Sequence, residues 1–336
     1  MAATVCVGKL HAMNIKNNIL ALLALAVITG CTTGKETCHR DPLEWAGTNA
    51  PPAIWHDQDF LAAQQAGSTC DWSRVVGIAG KLVERYPKES VAHFLLGQAY
   101  LEQRQYANAL PPLRRATELE PTTVQSWFAL GLAATSLSNR EESVTAFRKA
   151  AKLAPNKAVT WQCLAEGLCT QNKYGEAIDA YRKALDITPN DAALWFELGK
   201  VMQQMDWLDG VIQAMRRVTT LKPDYTEAWR MLGMALGGLR QNSEAEQAFR
   251  RALRLDPRSA VLWANLGCVL TDLDKREEAV KAFRRSGELN HGDAEAWYLL
   301  AMISPRVGME AEAQAALTQL KRLDPEGAMQ QEGSNE

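Results

Sequence analysis

The sequence has little net charge, few histidines and no long apolar run. Its 37 basic and 39 acidic residues leave a formal charge of −2, which argues against a nucleic-acid-binding surface. The five His residues form no spaced cluster of metal ligands. The apolar run Ile19–Ile28 spans only ten residues, about half of the ~20 that an ordinary transmembrane helix needs.

Sequence motifs for catalysis and for cofactor binding are missing as well. No Gly-rich phosphate loop follows a strand pattern, no GxSxG motif occurs, and the segment Cys31–His39 lacks the CxxCH spacing of haem attachment. The sequence therefore predicts no catalytic residue, no metal site and no cofactor. A protein that is not an enzyme is the expected class.

A period of about 34 residues organises most of the chain. Within Thr226–Pro257, Trp229 and Gly233 lie on one face of a first helix, and Ala245 and Phe249 lie on one face of a second. The Trp position is filled at Trp127, Trp161, Trp195, Trp229, Trp263 and Trp297, and the closing Pro position at Pro87, Pro121, Pro155, Pro189, Pro223 and Pro257. One such hairpin cannot cover both of its apolar faces, so it needs copies of itself on either side. The Trp side chains are expected to lie in the core of the stack.

The period, the Trp and Gly of the first helix, the small and large residues of the second and the closing Pro resemble the tetratricopeptide repeat. The resemblance implies an all-α fold, an α-solenoid of antiparallel helix pairs. It implies seven repeats of about 34 residues over 90–327, a degenerate capping repeat over 56–89 and a disordered tail over 328–336. Members of this family are usually adaptors that bind proteins or peptides in a concave groove, and they are rarely enzymes.

The resemblance also assigns residues to the groove, at the second, fifth, ninth, twelfth and thirteenth positions of each repeat. They include Phe94, Gln98, Gln125, Phe128, Gln162, Glu166, Phe196, Lys200, Gln203, Glu227, Arg230, Met234, Asp272 and Tyr298. Their mixture of aromatic, amide and charged side chains suits an extended or a helical peptide, with the aromatic residues as anchors. The alternative is that the aromatic residues at the fifth position pack within the fold.

The N-terminal residues predict secretion. Lys9 and Lys16 precede the apolar run, and this order of charge and apolar core is typical of a signal peptide, here over residues 1–30. Met13 is the more natural start, because the segment that follows it is a compact signal by itself.

The segment Ile28–Cys31 resembles the bacterial lipobox, in which a small residue precedes an invariant Cys. The resemblance implies that Cys31 is lipidated and becomes the mature N-terminus, and its acyl chains would hold the protein at a membrane. By the sorting rule of that family, Thr32 favours the outer membrane, with the repeats in the periplasm. Residues 31–55 then form the lipidated Cys and a flexible tether. The alternatives are an uncleaved anchor and an ordinary signal with an incidental Cys.

Two further features leave alternatives open. Cys38 and Cys70 lie outside the regular repeats, and they either form a disulfide that pins the tether or stay unpaired. Basic pairs also recur with the period, and they form either a stripe for anionic lipid or glycan, or partners of helix C-termini and of nearby acidic residues. These pairs are Arg114-Arg115, Arg148-Lys149, Arg182-Lys183, Arg216-Arg217, Arg250-Arg251 and Arg284-Arg285.

The combined features favour a lipid-anchored periplasmic scaffold that assembles or localises an envelope complex. Type IV pilus and secretin pilotin lipoproteins resemble this design of lipobox plus repeats. The alternative is an adaptor that recruits peptidoglycan hydrolases or synthases, and an enzyme is the third class. The last repeat has no polar capping helix after it, so its open outer face offers a route to homo-oligomers.

Overall fold

The computed structural model describes residues 53–323, which form helices and contain no strand. The all-α prediction is confirmed. The helices are α1 (Gln58–Ser68), α2 (Trp72–Arg85), α3 (Ser90–Glu102), α4 (Tyr106–Leu119), α5 (Val124–Ser136), α6 (Arg140–Leu153), α7 (Ala158–Thr170), α8 (Tyr174–Ile187), α9 (Ala192–Gln204), α10 (Leu208–Leu221), α11 (Thr226–Gly238), α12 (Asn242–Leu255), α13 (Ala260–Asp272), α14 (Arg276–Leu289), α15 (Ala294–Ile303) and α16 (Glu310–Leu323). Short 3₁₀ turns at Ala53–His56 and Ser304–Val307 precede α1 and join α15 to α16.

The chain divides into two compact units, Met1–Ile187 and Thr188–Glu336. The first unit contains α1 to α8, and the second contains α9 to α16. Within each unit a helix packs against the helices that precede and follow it in the sequence. From α3 onward the first helices of successive pairs begin at intervals of one sequence period. Within residues 53–323, no helix is long and apolar enough to cross a bilayer.

Glycine on the first helix lets the large residue of the second helix approach its backbone. A Cβ atom at Gly131 would stand 2.6 Å from the Phe147 ring, and one at Gly233 would stand 2.8 Å from the Phe249 ring. Both rings are almost fully buried. The repeating Gly and aromatic positions therefore specify the contact inside each hairpin.

The tryptophans contribute less burial than the sequence predicts, because each indole N–H also needs an acceptor. From Trp127 to Trp263 the rings are only half-buried, and the prediction that they lie fully in the core is corrected. Each indole Nε1 donates to the carbonyl of the Pro six residues earlier, at 2.8 to 3.0 Å. Where His291 replaces the Pro, the bond from Trp297 lengthens to 3.3 Å. The Trp and Pro positions are thus linked by the same hydrogen bond in successive repeats.

The turns inside the hairpins share one backbone conformation. Their central residues have a positive φ, which few residues other than glycine adopt readily. These residues follow the sequence period and are Cys70, Arg104, Ser138, Asn172, Asp206, Arg240, Asp274 and Gly308. Cys70 shows that the hairpin of α1 and α2 keeps the register of the regular repeats.

Polar contacts hold the hairpin of α1 and α2, which lacks the Trp and Gly positions. The Asp57 carboxylate accepts hydrogen bonds from the Asp59 backbone N–H at 2.8 Å, from Arg85 at 2.6 Å and from the Tyr86 hydroxyl at 2.9 Å. The bond from Arg85 is the main reason that the pKa of Asp57 lies below its ordinary value. One carboxylate therefore ties the start of α1 to the end of α2.

The first members of five basic pairs bind acidic groups within their own unit, which favours the structural interpretation of their period. The first member of a pair bonds to a Glu on the next second helix, always at the same separation in sequence. These contacts join Arg114 to Glu142, Arg148 to Glu176, Arg216 to Glu244, Arg250 to Glu278 and Arg284 to Glu312. Among the second members, Lys183 lies 4.3 Å from the centre of the Trp161 ring, and Arg217 donates to Asn190. Exposed ion pairs of this kind contribute ~0.2–1 kcal/mol each.

Candidate functional site

Three of the predicted groove residues in the first unit are buried. Phe94 is 3% exposed, Phe128 is 2% exposed and Gln98 is 9% exposed. The Phe128 ring packs edge-on against Phe147, with 5.5 Å between ring centres. At the fifth position of these repeats Phe94 and Phe128 face the neighbouring helix, which favours the alternative that they pack within the fold. The groove role of these three side chains stays a prediction.

The other predicted residues of this unit are half-buried. Gln125 lies on α5, and Gln162 on α7 donates from Nε2 to Oε1 of Glu166 at 3.0 Å. Burial, and then the charge of Glu166, raise the pKa of the Cys163 thiol well above its ordinary value. This thiol therefore stays protonated near neutral pH and is a poor nucleophile.

In the second unit, α9 presents an aromatic and charged surface beside the start of α11. The Phe196 ring lies 4.9 Å from the ring of Tyr225, the residue that precedes α11. The Lys200 ammonium lies 5.8 Å from the centre of the Phe196 ring and 2.8 Å from the Glu197 carboxylate. Phe196 and Glu197 are half-buried, and Lys200 is exposed.

The first turns of α11 extend this surface with a fixed arginine. Nε and Nη2 of Arg230 donate to the two carboxylate oxygens of Glu227, at 2.8 and 2.5 Å, and Nη1 lies 2.8 Å from the Met234 sulfur. The hydrogen bond to Glu227 is the main reason that the pKa of Arg230 is raised. The side chain of Arg230 is 21% exposed, so its planar group is held partly open to solvent.

We call these seven residues the α9/α11 surface: Phe196, Glu197, Lys200, Tyr225, Glu227, Arg230 and Met234. Burial, and then the charges of Glu227 and Glu197, raise the pKa of Tyr225. Its hydroxyl is therefore protonated at neutral pH, when it can donate a hydrogen bond. The surface combines apolar rings with charged groups.

The sequence prediction missed Tyr225 and Glu197. Tyr225 occupies the last position of its repeat, where six of the other repeats carry the polar residues Glu89, Thr123, Lys157, Asp191, Ser259 and Asp293. The aromatic residue Tyr225 at a position that is polar in those six repeats was therefore a signal in the sequence that this position differs in role. Five predicted residues, Phe196, Lys200, Glu227, Arg230 and Met234, do lie on this surface.

The remaining predicted residues lie apart from these contacts or outside the described part of the chain. Gln203 is half-buried near the end of α9, and Asp272 and Tyr298 are exposed on α13 and α15. Cys70 is exposed in the turn between α1 and α2. Cys31 and Cys38, the signal peptide, most of the tether and the C-terminal tail lie outside residues 53–323, so the lipidation and the disulfide stay predictions.

Two open depressions have linings that share no residue with the α9/α11 surface. One, of about 380 Å³, lies between α4, α5 and α6, where Trp127 and the ion pair of Arg114 with Glu142 line it. The other, of about 510 Å³, is lined by the turn before α9 and the end of α10, including Asn190 and Lys222. The first lies where the hairpin of α5 and α6 packs on α4.

Family models for the tetratricopeptide repeat match several stretches of the sequence. One, described as a TPR repeat, matches residues 168–206, and two described as tetratricopeptide repeats match 94–158 with 212–260, and 238–303. The chain is a tetratricopeptide repeat protein. A comparison with curated proteins gave no match.

Solved tetratricopeptide structures resemble this protein in fold. The C-terminal part of a TPR repeat-containing protein from Cytophaga hutchinsonii has 16% identity and a TM-score of 0.61, covering 70% of this chain and 98% of its own. YrrB, described as a TPR protein with an unusual peptide-binding site, has 21% identity and a TM-score of 0.50, covering 55% and 96%. The pilF protein of Pseudomonas aeruginosa has 20% identity and a TM-score of 0.48, covering 63% and 97%. At these identities the likeness shows the fold alone.

Proposed function

We propose that this tetratricopeptide repeat protein is a scaffold that binds a protein or peptide partner on the α9/α11 surface. The single observation that carries the proposal is the pairing of two partly exposed aromatic rings, Phe196 and Tyr225, with a fixed arginine on the neighbouring helix. Aromatic and arginine side chains dominate binding energy at protein interfaces. The peptide-binding site named for YrrB shows that this fold supports such a function in another protein.

The chemistry of the surface suits a polypeptide ligand. Arg230 has five N–H donors, and its contacts with Glu227 and Met234 use three of them. Two donors remain for carbonyl oxygens of a bound chain. Because Glu227 already fixes the guanidinium, little side-chain entropy is lost on binding. The rings of Phe196 and Tyr225 would contact an apolar side chain of the same ligand.

We further propose that the scaffold is attached to the bacterial envelope through a lipid on Cys31, with its repeats in the periplasm. The support for this part is the lipobox-like segment Ile28–Cys31 and the signal-like residues before it. The partner would then belong to an envelope complex of pilus or secretion type. A role in recruiting peptidoglycan hydrolases or synthases is the alternative, and neither role requires the scaffold to be an enzyme.

Affinity capture from detergent-solubilised membranes tests the binding role. The variant Phe196→Ala with Arg230→Ala should lose the partners that the unchanged protein recovers. Gln213→Ala, on the exposed side of α10, serves as the control and should keep them. Recovery of the same partners by the double variant would refute a role for this surface. Mass spectrometry of the recovered proteins separates an envelope machine from cell-wall enzymes.

Metabolic labelling with a radioactive fatty acid tests the anchor independently. The unchanged chain should incorporate label and sediment with membranes, and Cys31→Ser should do neither. Label that persists in Cys31→Ser would contradict the assignment of Cys31. This result would not bear on the proposal that the α9/α11 surface binds a partner.

A further inference from the structure

One repeat departs from the others at the position that carries the ion-pair carboxylate. The regular carboxylates are Glu142, Glu176, Glu244, Glu278 and Glu312. In the same register the hairpin of α9 and α10 has Gly210. A glycine in the first turn of a helix lowers helix propensity, so its presence needs another reason.

The reason is an indole ring that lies over the glycine. A Cβ atom at Gly210 would stand 3.0 Å from Cδ2 of Trp207 and 2.8 Å from the Met202 sulfur. A larger residue at position 210 would therefore crowd both the Met202 sulfur and the Trp207 ring. Trp207 itself occupies a position that is polar in five other repeats, at Gln105, Asn139, Lys173, Gln241 and Lys275.

Trp207 and Gly210 stand where other repeats carry a polar residue and a Glu. As a result, two apolar side chains are exposed on the turn that joins α9 to α10. Trp207 is 42% exposed and Met205 is 50% exposed. Trp207 makes no side-chain cap for α10, whereas Asn139 at the same position caps α6 by accepting a hydrogen bond from the Glu142 backbone N–H. The turn itself does not need the indole, because the same positive φ recurs at Asp206, Arg240 and Asp274. The repeat thus gives up a cap and a carboxylate and gains an exposed aromatic surface.

The charges of this turn select the kind of partner. Asp206 and Asp209 are both exposed and flank Trp207, and the segment 203–210 contains no basic residue. The face of an indole attracts cations, and the carboxylates of Asp206 and Asp209 attract them as well. An anionic lipid surface would be repelled, whereas the flexible Met205 side chain adapts to an apolar group.

We propose that Met205 and Trp207 form a second docking surface, separate from the α9/α11 surface, for a protein segment that joins an apolar side chain to Lys or Arg. The observations that carry the proposal are the fit of Trp207 over Gly210, the exposure of both apolar side chains and the flanking carboxylates.

The test uses the full chain with ¹⁵N-labelled Trp and a short peptide of alternating Lys and Leu. The indole resonance of Trp207 is assigned by its absence from the spectrum of Trp207→Gln. We expect this resonance to shift on titration with the Lys-Leu peptide and to stay in place with a Glu-Leu peptide of the same length. Equal shifts with both peptides, or a shift only with vesicles of anionic phosphatidylglycerol, would overturn the proposal.

Variants taken from the other repeats of the chain complete the test. Met205→Gln with Trp207→Gln installs the residues found at Gln103 and Gln105. Because this variant has no Trp207 resonance, its affinity for the Lys-Leu peptide is measured by isothermal titration calorimetry, and it should be at least tenfold weaker. Leu137→Gln removes an apolar side chain of similar exposure, 41%, from a turn without Trp. This control should leave the affinity within twofold. If the double variant does not fold, Met205→Gln alone should weaken binding at least threefold. An unchanged affinity in either variant refutes the surface.

Discussion

Replacing Gly233 with alanine tests whether the glycine of the first helix is needed for packing. The added Cβ would stand 2.8 Å from two atoms of the Phe249 ring, closer than such atoms approach one another in folded proteins. The ring is 2% exposed, so it is enclosed and cannot swing away. Overpacking of this kind typically destabilises a protein by about 1–3 kcal/mol.

The same helix offers a matched control. Gly237 lies four residues later on α11, and a Cβ there would meet only Val269, at an ordinary contact distance of 3.8 Å. Alanine favours a helix over glycine by about 0.8–1 kcal/mol, and this gain applies to both variants. Gly233→Ala should therefore lower stability by up to about 2 kcal/mol, and Gly237→Ala should leave it unchanged or raise it by less than about 1 kcal/mol, since Gly237 lies near the helix end.

Urea unfolding followed by circular dichroism measures the difference between the two variants. The midpoints are compared rather than a single free energy, because stacked repeats need not unfold in one step. A Gly233→Ala midpoint at or above that of Gly237→Ala would refute the close contact between α11 and α12.

Two further predictions concern a buried carboxylate and a strained turn. Burial alone would raise the pKa of Glu246, but hydrogen bonds from Lys275 at 2.7 Å and Arg250 at 2.9 Å outweigh it and lower this pKa below its ordinary value of 4.5. The stabilisation that Glu246 provides is thus present above pH 4.5 and is lost as the pH falls through the lowered pKa. Urea midpoints between pH 7 and pH 3 should fall less steeply for Glu246→Gln than for the unchanged protein, and equal slopes would contradict this role. Arg240 has a φ of +58°, so Arg240→Gly should raise stability by up to about 1 kcal/mol; thermal unfolding checks it, and a lower midpoint would show that the Arg240 side chain contributes more than the strain costs.

The repeat period was sufficient to predict the helix pairs, but it was insufficient to predict exposure at equivalent positions. Phe128 and Phe196 occupy the same position of their repeats, yet Phe128 is buried and Phe196 is half-buried. Phe128 packs against the Phe147 ring. The equivalent of Phe147 in the later hairpin is Met215, and Phe196 turns to Tyr225 instead. Burial at this position depends on two residues far away in the sequence, which a single repeat pattern does not contain.

The basic pairs show information that was present in the sequence but needed a spatial rule to interpret. The constant separation between each Arg and its Glu is slightly shorter than the full period, and it places the two groups on successive second helices. That offset follows from how one hairpin stacks on the next. Without knowledge of this stacking, the same sequence period is expected for a stripe that binds anionic ligands and for a set of intramolecular ion pairs. The contact distances decide in favour of the ion pairs.

The most informative residues for function are those whose type differs from that of the other repeats at the same position, although the backbone conformation there is the same. The hairpin of α9 and α10 does so at Trp207 and Gly210, and Tyr225, which follows it, does so at the last position of the repeat. The turn before α10 nevertheless has the same positive φ as its neighbours. Because the backbone is unchanged, these residues are not needed to specify the stack, and the side chains of Trp207 and Tyr225 remain partly exposed. Residues that the fold does not require and that expose apolar surface are best explained by contact with another molecule.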